Sequence, residues 1–366
     1  MTARKKTSPK TKSSVARKRR QARKQSHALN FEALESRQLL AAVTVGNTTD
    51  ILSPTADTSS IAALVANDGG DGISLREAIA AANNTAGEDS ITFDAGVFTG
   101  DNNLIRLTQG QLSISDSLTV DGSSAGGVVI TGDAAGDDIT LVGTDITDVS
   151  ASFVQFSGPD LLGDNSRVLD FSGSGDLALT GLTITGGRET ATNAGGGGIR
   201  FNSSGALTLD QSTVAGNSSE DGSGIYSSSG TVSLTNSTVS RNVGVAGSGG
   251  NVGNGGGLFI SNGNLSLTNT TVSGNRTNGF GGGISSTNST VLLINSTVVE
   301  NATSTFFQKN GSGIAFSANA PIAASLTIHN SIVADNGQGY YTSDLLVSGD
   351  ATSDDLTVEY LSLIHI

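Results

Sequence analysis

The chain of 366 residues has no cysteine, no tryptophan, one methionine and four prolines. The absence of cysteine excludes disulfide bonds, thiol catalysis and zinc sites built on cysteine ligands. No apolar run approaches the roughly 18 residues of a membrane-spanning helix, so we expect no transmembrane segment. Aromatic residues make up 4% of the chain and charged residues 14%, whereas glycine occurs 49 times. This composition is typical of tightly stacked β structure with small side chains.

Charge is distributed unevenly. Residues 1–30 contain eleven of the 20 Lys and Arg and no Asp or Glu, so composition predicts a disordered basic tail, which together with a short amphipathic segment spans residues 1–42. The chain after Ala42 keeps eight Lys and Arg against 31 of the 33 Asp and Glu, a formal charge of −23. So acidic a body repels nucleic acid, and only the tail could bind it. A targeting segment is the alternative for that tail.

One pattern recurs between Leu177 and Asn336. Its clearest copies are Val232–Asn242, Leu265–Asn275 and Val291–Asn301, and each ends in a closing asparagine. The closing asparagines recur every 25 to 35 residues. Self-similarity at this period predicts a solenoid, because a single repeat is too small to bury its own apolar face.

The repeat favours strands over helices. Leu265 and Leu267 alternate with polar residues, and Val, Ile and Thr are frequent. Val272 lies five residues beyond Leu267, so the chain must bend between them if both are to face the core. A further strand follows each glycine run, for example Gly195–Gly198 before Ile199. Three short strands per turn of chain predict a parallel β-helix over residues 101–350.

Two asparagines in each repeat fall at the predicted bends. Stacked one coil apart, their amides could bond to one another and fix the register between coils. The alternative is that asparagine merely tolerates turn conformations. We expect the following to form ladders: Asn236, Asn269, Asn295 and Asn330 at one bend, and Asn217, Asn242, Asn275, Asn301 and Asn336 at another.

Residues 43–100 are predicted to form an N-terminal cap. Ser74 and Glu77 have the spacing of a capping box, and the apolar face that follows predicts a helix over residues 74–84, the only convincing helix in the chain. Such a helix would cover the unpaired strand edges of the first coil. Residues 133–166 are acidic and irregular, and we expect them to leave the coil stack.

Acidic residues are the first candidates for catalytic or metal-binding side chains. The position before the closing asparagine is Glu300 in one repeat and Asp335 in the next, which predicts two carboxylates about one coil apart. Such a pair could share a proton as catalytic groups or hold Ca²⁺. A solvated turn is the plainer explanation. The glycine runs do not match a phosphate-binding loop, because neither a helix nor Lys-Ser or Lys-Thr follows them. The chain shows no other cofactor signature.

The loops after the closing asparagines vary in length, whereas the distance from the glycine run to the next repeat valine is nearly constant, at fifteen residues in three repeats: Gly224 to Val239, Gly257 to Val272 and Gly283 to Val298. Length variation therefore collects on one edge, which is where binding usually occurs on a rigid scaffold. The longest of these loops, Val243–Asn254, contains no side chain that donates a proton at neutral pH.

Two stretches resemble known families. Leu34-Glu-Ser-Arg-Gln-Leu-Leu40 is similar to the LEPR-xLL sorting motif of planctomycete surface and secreted proteins, with Ser36 in place of the usual proline. Ser74-Leu-Arg-Glu-Ala78 resembles the CSLREA region of bacterial extracellular β-helix proteins, which have cysteine where this chain has Ile73. The repeats are also similar to the passenger repeats of chlamydial polymorphic outer-membrane proteins. These resemblances imply export, a right-handed coil with the pectin-lyase-like fold, and surface display or adhesion.

The last residues, Leu361–Ile366, fit no coil and are similar to translated sequencing-adaptor sequence, so we expect residues 351–366 to be a truncated end. Together these features predict an exported all-β protein that binds a cell-surface or matrix component, such as a polysaccharide, outside a bacterial cell. The alternative is a carbohydrate-active enzyme, a polysaccharide lyase or glycoside hydrolase, that uses an acidic or calcium-binding cluster on the variable edge.

Overall fold

The computed structural model describes residues 40–136, 165–191, 194–245, 253–303, 311–319, 323–337, 343–350 and 355–359. Within these residues the chain is a parallel β-helix, as predicted. Each turn of chain adds one strand to each of three long parallel sheets, and the middle coils add a two-residue strand to a fourth sheet that the sequence did not predict.

Strands are numbered along the chain. The first sheet has ten: β1 (Ala41–Val45), β2 (Asp89–Phe93), β5 (Leu118–Asp121), β8 (Leu177–Thr180), β11 (Ala206–Asp210), β15 (Thr231–Thr235), β19 (Asn264–Thr268), β23 (Thr290–Ile294), β27 (Ser325–His329) and β30 (Leu356–Glu359). The second has eight: β4 (Leu112–Ile114), β7 (Leu169–Phe171), β10 (Ile199–Phe201), β14 (Ile225–Ser227), β18 (Leu258–Ser261), β22 (Ile284–Thr287), β26 (Ile314–Ala318) and β29 (Leu345–Gly349).

The third sheet also has eight strands: β3 (Leu104–Arg106), β6 (Val128–Thr131), β9 (Leu182–Thr185), β12 (Thr213–Ala215), β16 (Thr238–Ser240), β20 (Thr271–Ser273), β24 (Thr297–Val299) and β28 (Ile332–Ala334). The fourth comprises β13 (Ser218–Ser219), β17 (Val243–Gly244), β21 (Arg276–Thr277) and β25 (Ala302–Thr303). Two helices, α1 (Ile61–Ala66) and α2 (Leu75–Asn83), and two 3-10 turns, Gly100–Asn102 and Ser123–Ala125, complete the described elements.

The register between coils places like residues on like residues. Val232 lies opposite Leu265, which lies opposite Val291. These side chains and their counterparts in the second and third sheets are fully buried and form one continuous core. Alternate residues of every strand point outward, so each sheet carries outward rows of side chains that run from coil to coil.

The closing asparagines form a buried ladder at the bend after the third sheet. The Asn275 carboxamide oxygen accepts from the backbone N–H and the Nδ2 of Asn242, at 3.0 and 2.9 Å. Its own Nδ2 donates to Asn301 Oδ1 at 2.9 Å and to the backbone carbonyl of Val239 at 2.9 Å. The same bonds recur from Asn217 to Asn336, whose amide bonds to Asp344. Every amide in the ladder is therefore satisfied inside the protein.

Each glycine run serves two needs at this bend. A glycine at or near its start has a positive φ, for example +63° at Gly255 and +75° at Gly196. Its last glycine, Gly257, packs against the ladder, because an added Cβ would lie 3.0 Å from the carboxamide of Asn275 and 2.6 Å from the carbonyl oxygen of Gly283. Ladder and glycine run are therefore parts of one arrangement.

The other predicted ladder is different. Asn236, Asn269, Asn295 and Asn330 are exposed, and their φ values lie between +47° and +51°. Asn269 donates to Asn236 and Asn330 to Asn295, but within the described residues no amide bond joins Asn269 to Asn295. The predicted ladder at this bend is therefore exposed and interrupted between Asn269 and Asn295, and the tolerance of asparagine for the left-handed conformation is the main reason for its presence here.

The N-terminal cap contains α2 as expected, with Ser74 and Glu77 forming the capping box. Ser74 Oγ accepts from the Glu77 N–H at 3.2 Å, and Glu77 Oε2 accepts from the Ser74 N–H at 3.0 Å. Arg76 forms a bidentate pair with Asp50 and donates to the carbonyl of Gln111, which fastens the helix to the first coils. The helix α1, capped by Ser60, was not predicted because it spans only six residues.

Two predicted boundaries change. Strand β1 begins at Ala41, inside the predicted tail. Strand β30, inside the predicted truncated end, pairs with β27, so the coil stack extends to Glu359. Most of the predicted excursion over residues 133–166 lies outside the described residues, as do residues 1–39 and 360–366.

Candidate functional site

The two carboxylates singled out in the sequence lie on neighbouring coils. The Glu300 N–H donates to the Asp335 carbonyl at 3.2 Å. Both residues are exposed, and both have positive φ, +58° and +53°. The same position in the other repeats is Gly216, Arg241 and Gly274, each also with positive φ. The position is therefore a solvated turn that accepts glycine, acid and base alike.

This turn does not fit a metal site. Within the described residues no group of three or more His, Asp and Glu side chains converges. Ca²⁺ takes six to eight oxygen ligands, and two exposed carboxylates on a turn supply too few of them. His329 lies on the first sheet, with Nε2 3.6 Å from Glu359 Oε2, and among the described residues no third His, Asp or Glu joins this pair to form a metal site.

A set of charged and aromatic residues that the sequence reasoning missed lies on the outer face of the second sheet. The row runs through consecutive strands β7, β10, β14 and β18 and consists of Asp170, Arg200, Tyr226 and Phe259, which are direct register partners. We call these four residues the second-sheet row. Their strand neighbours, such as Ile199 and Phe201, point inward and are fully buried.

The row begins with a bidentate ion pair. Arg200 Nε and Nη2 donate to the two carboxylate oxygens of Asp170 at 2.6 and 2.8 Å. This geometry fixes the plane of the guanidinium, because both donors and both acceptors are engaged. The hydrogen bond to Asp170 raises the pKa of Arg200, and partial burial opposes that shift.

The row continues with an aromatic pair. The rings of Tyr226 and Phe259 are stacked, with centroids 5.3 Å apart and planes 4° from parallel. Both rings are partly exposed. Stacking of this kind holds two large side chains in one orientation, so the pair offers apolar surface at low entropic cost. Burial raises the pKa of the Tyr226 hydroxyl, the Asp221 carboxylate raises it further, and Arg200 opposes the shift.

A second, buried arginine, Arg167, is connected to the row by hydrogen bonds. Arg167 donates to Glu189 Oε2 at 2.7 Å, to Gln111 Oε1 at 2.8 Å and to the carbonyls of the Gly195–Gly196 turn. Gln111 in turn donates to Asp170 Oδ2 at 3.1 Å. Burial lowers the pKa of Arg167, and the Glu189 carboxylate opposes the shift. Hydrogen bonds thus connect the variable loop after Gly187 to the ion pair.

The variable loops border the row on one side. Gly195 packs against the ring of Tyr226 where any side chain would collide with it. One coil further, Asp221 Oδ1 accepts from the N–H of Asn254 at 2.7 Å, and Asn254 Oδ1 accepts from the N–H of Phe280 at 3.0 Å. Burial raises the pKa of Asp221, and the bonds from Asn254 oppose the shift. Phe280 is 43% exposed.

The predicted variable edge is therefore adjacent to the second-sheet row, although the sequence analysis did not identify the residues of that row. A usable sequence signal exists. Aligned on the glycine runs, Arg200, Tyr226, Phe259, Ser285 and Ala315 all occupy the second position after the run. Alternation predicts that this position points outward, so a run of charged and aromatic residues there was visible in the repeat.

Comparison with known proteins agrees with this architecture. The family described as "Right handed beta helix region" matches residues 167–351, half of the chain. The chain belongs to this family, so the coil is right-handed. One similar solved structure is titled "Crystal structure of pectate lyase Pel9A", with 12% sequence identity, a TM-score of 0.48, and coverage of 89% of this chain and 78% of that chain. No curated protein matches the sequence. Neither described α-helix is long and apolar enough to cross a lipid bilayer.

Proposed function

We propose that this chain is an exported bacterial β-helix protein that binds a polysaccharide of a cell surface or matrix and does not cleave it. The observation that carries the proposal is the second-sheet row, in which a fixed ion pair lies next to a partly exposed aromatic stack. Binding sites for small polar ligands combine apolar or aromatic surface with a few oriented polar groups. A sugar chain offers both apolar ring faces and hydroxyls that a guanidinium or carboxylate can bond.

The location of the row supports binding on a rigid support. The side chains project from continuous parallel sheets whose register the asparagine ladder holds, so little conformational entropy is lost when a ligand binds. Export is inferred from the resemblance of residues 34–40 to a sorting motif, and the ligand class from the chemistry of the row.

The experiment is a binding assay with the full chain and a panel of probes: cellulose, xylan, chitin, pectin and alginate. Replacing Tyr226 and Phe259 together by alanine is expected to weaken binding to the retained polysaccharide by at least about tenfold, since truncation of an aromatic hot spot costs about 2 kcal/mol. Leu52→Ala with Val65→Ala is the matched control, because both residues are exposed apolar side chains of the cap. Equal loss in both double variants would contradict the proposal.

The enzyme alternative makes a separate prediction about the same panel. If the chain cleaves polysaccharide through the Glu300 and Asp335 turn, products accumulate over time, and Glu300→Gln or Asp335→Asn abolishes their release. No feature of that exposed turn favours this outcome over binding. A reducing-end and unsaturated-product assay on the panel decides between the two.

A further inference from the structure

The strands of the second sheet carry no net charge. The eight described strands of this sheet contain two charged residues, Asp170 and Arg200, and these two are paired with each other. The chain after Ala42, by contrast, has a formal charge of −23. The outward residues of the next strands beyond the second-sheet row are also uncharged: Ser285, Ala315 and Leu346.

Outward aromatic residues distinguish this face from the other sheets. In the described strands, Tyr226 and Phe259 are the only aromatic residues at outward positions. The first and third sheets present mainly small polar side chains outward, such as threonine and serine. The second sheet therefore combines exposed ring surface with a face of no net charge, and the other sheets do not.

The cation of this face is already paired. Arg200 Nε and Nη2 donate to the two carboxylate oxygens of Asp170, at 2.6 and 2.8 Å. Asp170 is buried and is held in place by a further hydrogen bond from Gln111, at 3.1 Å. A ligand carboxylate at Arg200 would have to displace Asp170 or lie beside its negative charge, and both are unfavourable.

The charges around the aromatic pair disfavour an anion. Burial is the largest cause of the raised pKa of the Tyr226 hydroxyl, and among its charged neighbours Asp221 raises this pKa more than Arg200 lowers it. Negative charge on this ring is therefore destabilised. A carboxylate on a ligand that covers the ring would experience the same field and the same loss of hydration.

Uncharged hydrogen-bonding groups border the row on the side of the following bend. Asn202 and Ser228 come directly after β10 and β14, and Ser261 ends β18, each two residues beyond a member of the row. Ser228 Oγ donates to Asn202 Oδ1 at 2.8 Å, and Asn262 Nδ2 donates to Ser261 Oγ at 2.8 Å. All four side chains are at least partly exposed. Hydroxyls and amides both donate and accept, so they can bond the hydroxyls of a sugar without supplying charge.

We propose that the second-sheet row selects uncharged polysaccharides and rejects polyuronates. This inference rests on the proposed function and narrows the ligand class of the same site. From Asp170 to Phe259 the row spans three strand spacings, about 14 Å, which suits a short segment of a sugar chain. Ring faces of an uncharged chain pack on Tyr226 and Phe259, and its hydroxyls bond to the bordering serine and asparagine side chains. A polyuronate instead brings carboxylates to a face whose cation is already paired.

The test measures binding of the full chain to pairs of polymers that share a backbone and differ in charge: hydroxyethyl and carboxymethyl cellulose, fully esterified pectin and polygalacturonate, and glycol and carboxymethyl chitin. The eleven Lys and Arg of residues 1–30 attract charged polymers by themselves. The quantity compared is therefore row-dependent binding, the part that is lost in Tyr226→Ala with Phe259→Ala. At low ionic strength, row-dependent affinity is expected to be at least about tenfold higher for the uncharged member of a pair, because like charges brought together at an interface are strongly disfavoured.

Asp170→Asn tests the role of the ion pair. The variant keeps the shape of the side chain but removes the charge that neutralises Arg200, so the guanidinium becomes available to a ligand carboxylate. The preference for the uncharged polymer is expected to narrow to about threefold or less. Asp71→Asn is the matched control, because it makes the same change in net charge at an exposed position of the cap, and it should keep the preference of the unmodified protein. Circular dichroism melting checks that both variants fold.

The outcomes separate this inference from the proposed function. Row-dependent binding that is equal or tighter for the charged polymers would overturn the inference and leave the proposed function intact. An equal preference in Asp170→Asn and Asp71→Asn would also overturn the inference, because selection would then not depend on the ion pair. Absence of row-dependent binding to every polymer would overturn the proposed function and this inference with it.

Discussion

The closing asparagines show most clearly how single residues hold this protein together. Each contributes one acceptor that takes two bonds from the coil on one side and one Nδ2 that donates to the coil on the other. The exposed asparagines at the opposite bend look identical in the sequence but make few such bonds. The difference is burial, which makes an unsatisfied amide costly in one place and inconsequential in the other.

Asn275→Ala is expected to lower the free energy of unfolding by about 2–4 kcal/mol, because it leaves the buried N–H of Asn242 without an acceptor and removes one of the two acceptors of the Asn242 Nδ2, which keeps the Val214 carbonyl. Asn269→Ala, at the exposed bend, should cost only about 1 kcal/mol, the strain of an alanine in the left-handed conformation. Urea denaturation followed by circular dichroism measures both. Similar losses for the two variants would show that the buried ladder is not the stabilising one.

Asp89, the first residue of β2, is a buried carboxylate, and the described residues place no cation beside it. Burial raises the pKa of Asp89 to about 6, and the nearby Asp116 adds to the shift. The native state therefore holds this proton more tightly than the unfolded chain does, so stability falls as the pH rises from about 4 to about 6.

Asp89→Asn should accordingly stabilise the protein at pH 7–8 by about 1–2 kcal/mol and have little effect near pH 4. Asp71→Asn, at an exposed position of the cap, is the control and should follow the unmodified protein at every pH. Thermal melts across this pH range provide the measurement. A stabilisation that is the same at pH 4 and pH 8 would argue against titration of Asp89 as its cause.

Residue roles were only partly predictable from the sequence. The repeat identified both sets of asparagines, because their spacing is regular, but it could not show which set is buried. Whether a set is buried depends on what covers its bend. The fourth sheet and the glycine runs cover the bend of the closing asparagines and leave the other bend open. The same repeat alignment identified the acidic residues Glu300 and Asp335. The glycines at the equivalent position of other repeats indicated that these two residues adopt the left-handed conformation.

At the scale of elements, the glycine runs and strands form one packing unit. Gly257 leaves room for the ladder carboxamide, whereas Gly274 only supplies a positive φ. Arg241, Glu300 and Asp335 replace glycine at the latter position in other coils, which shows that a side chain is accommodated there.

Gly257→Ala is expected to destabilise the protein by about 3 kcal/mol, because its Cβ would lie 2.6 Å from the carbonyl oxygen of Gly283. Gly274→Ala should cost only about 1 kcal/mol, the strain of a left-handed alanine, because its Cβ has no neighbour closer than 3.6 Å. Thermal denaturation compares the two variants. A greater loss for Gly274→Ala would contradict the packing account.

Strand elements were well predicted where the repeat is strong and poorly where it is not. Strands of the first and third sheets follow from alternation and from the parity slip after the internal asparagine. The two-residue strands of the fourth sheet carry no alternation to detect. Helix α1 was missed because six residues give too short an apolar pattern, whereas the capping box of α2 was visible at once. The second-sheet row was not predicted, because the candidate site residues were acidic pairs and not outward aromatic residues.

For the whole molecule, stability comes from stacking, since each coil contacts only its neighbours. Removing one complete coil should therefore be tolerated. Deletion of residues 276–301 joins Asn275 to Ala302 and preserves the sequence of strand positions, so we expect a folded protein with a slightly smaller m-value. Deletion of residues 276–288 removes half a coil, breaks the register of all later strands and should prevent cooperative unfolding. Equal behaviour of the two deletions would contradict a modular stack.

The central claim is that ligand binding takes place on the second-sheet row, and hydrogen–deuterium exchange tests it most directly. The full chain is compared with and without the polysaccharide that the probe panel retains. Binding at the second-sheet row predicts slower exchange in β10, β14 and β18, and in the loop from Asn275 to Gly281, with no change around Glu300 and Asp335. Slower exchange confined to the turn that contains those two carboxylates would contradict it and would place the function at the acidic pair.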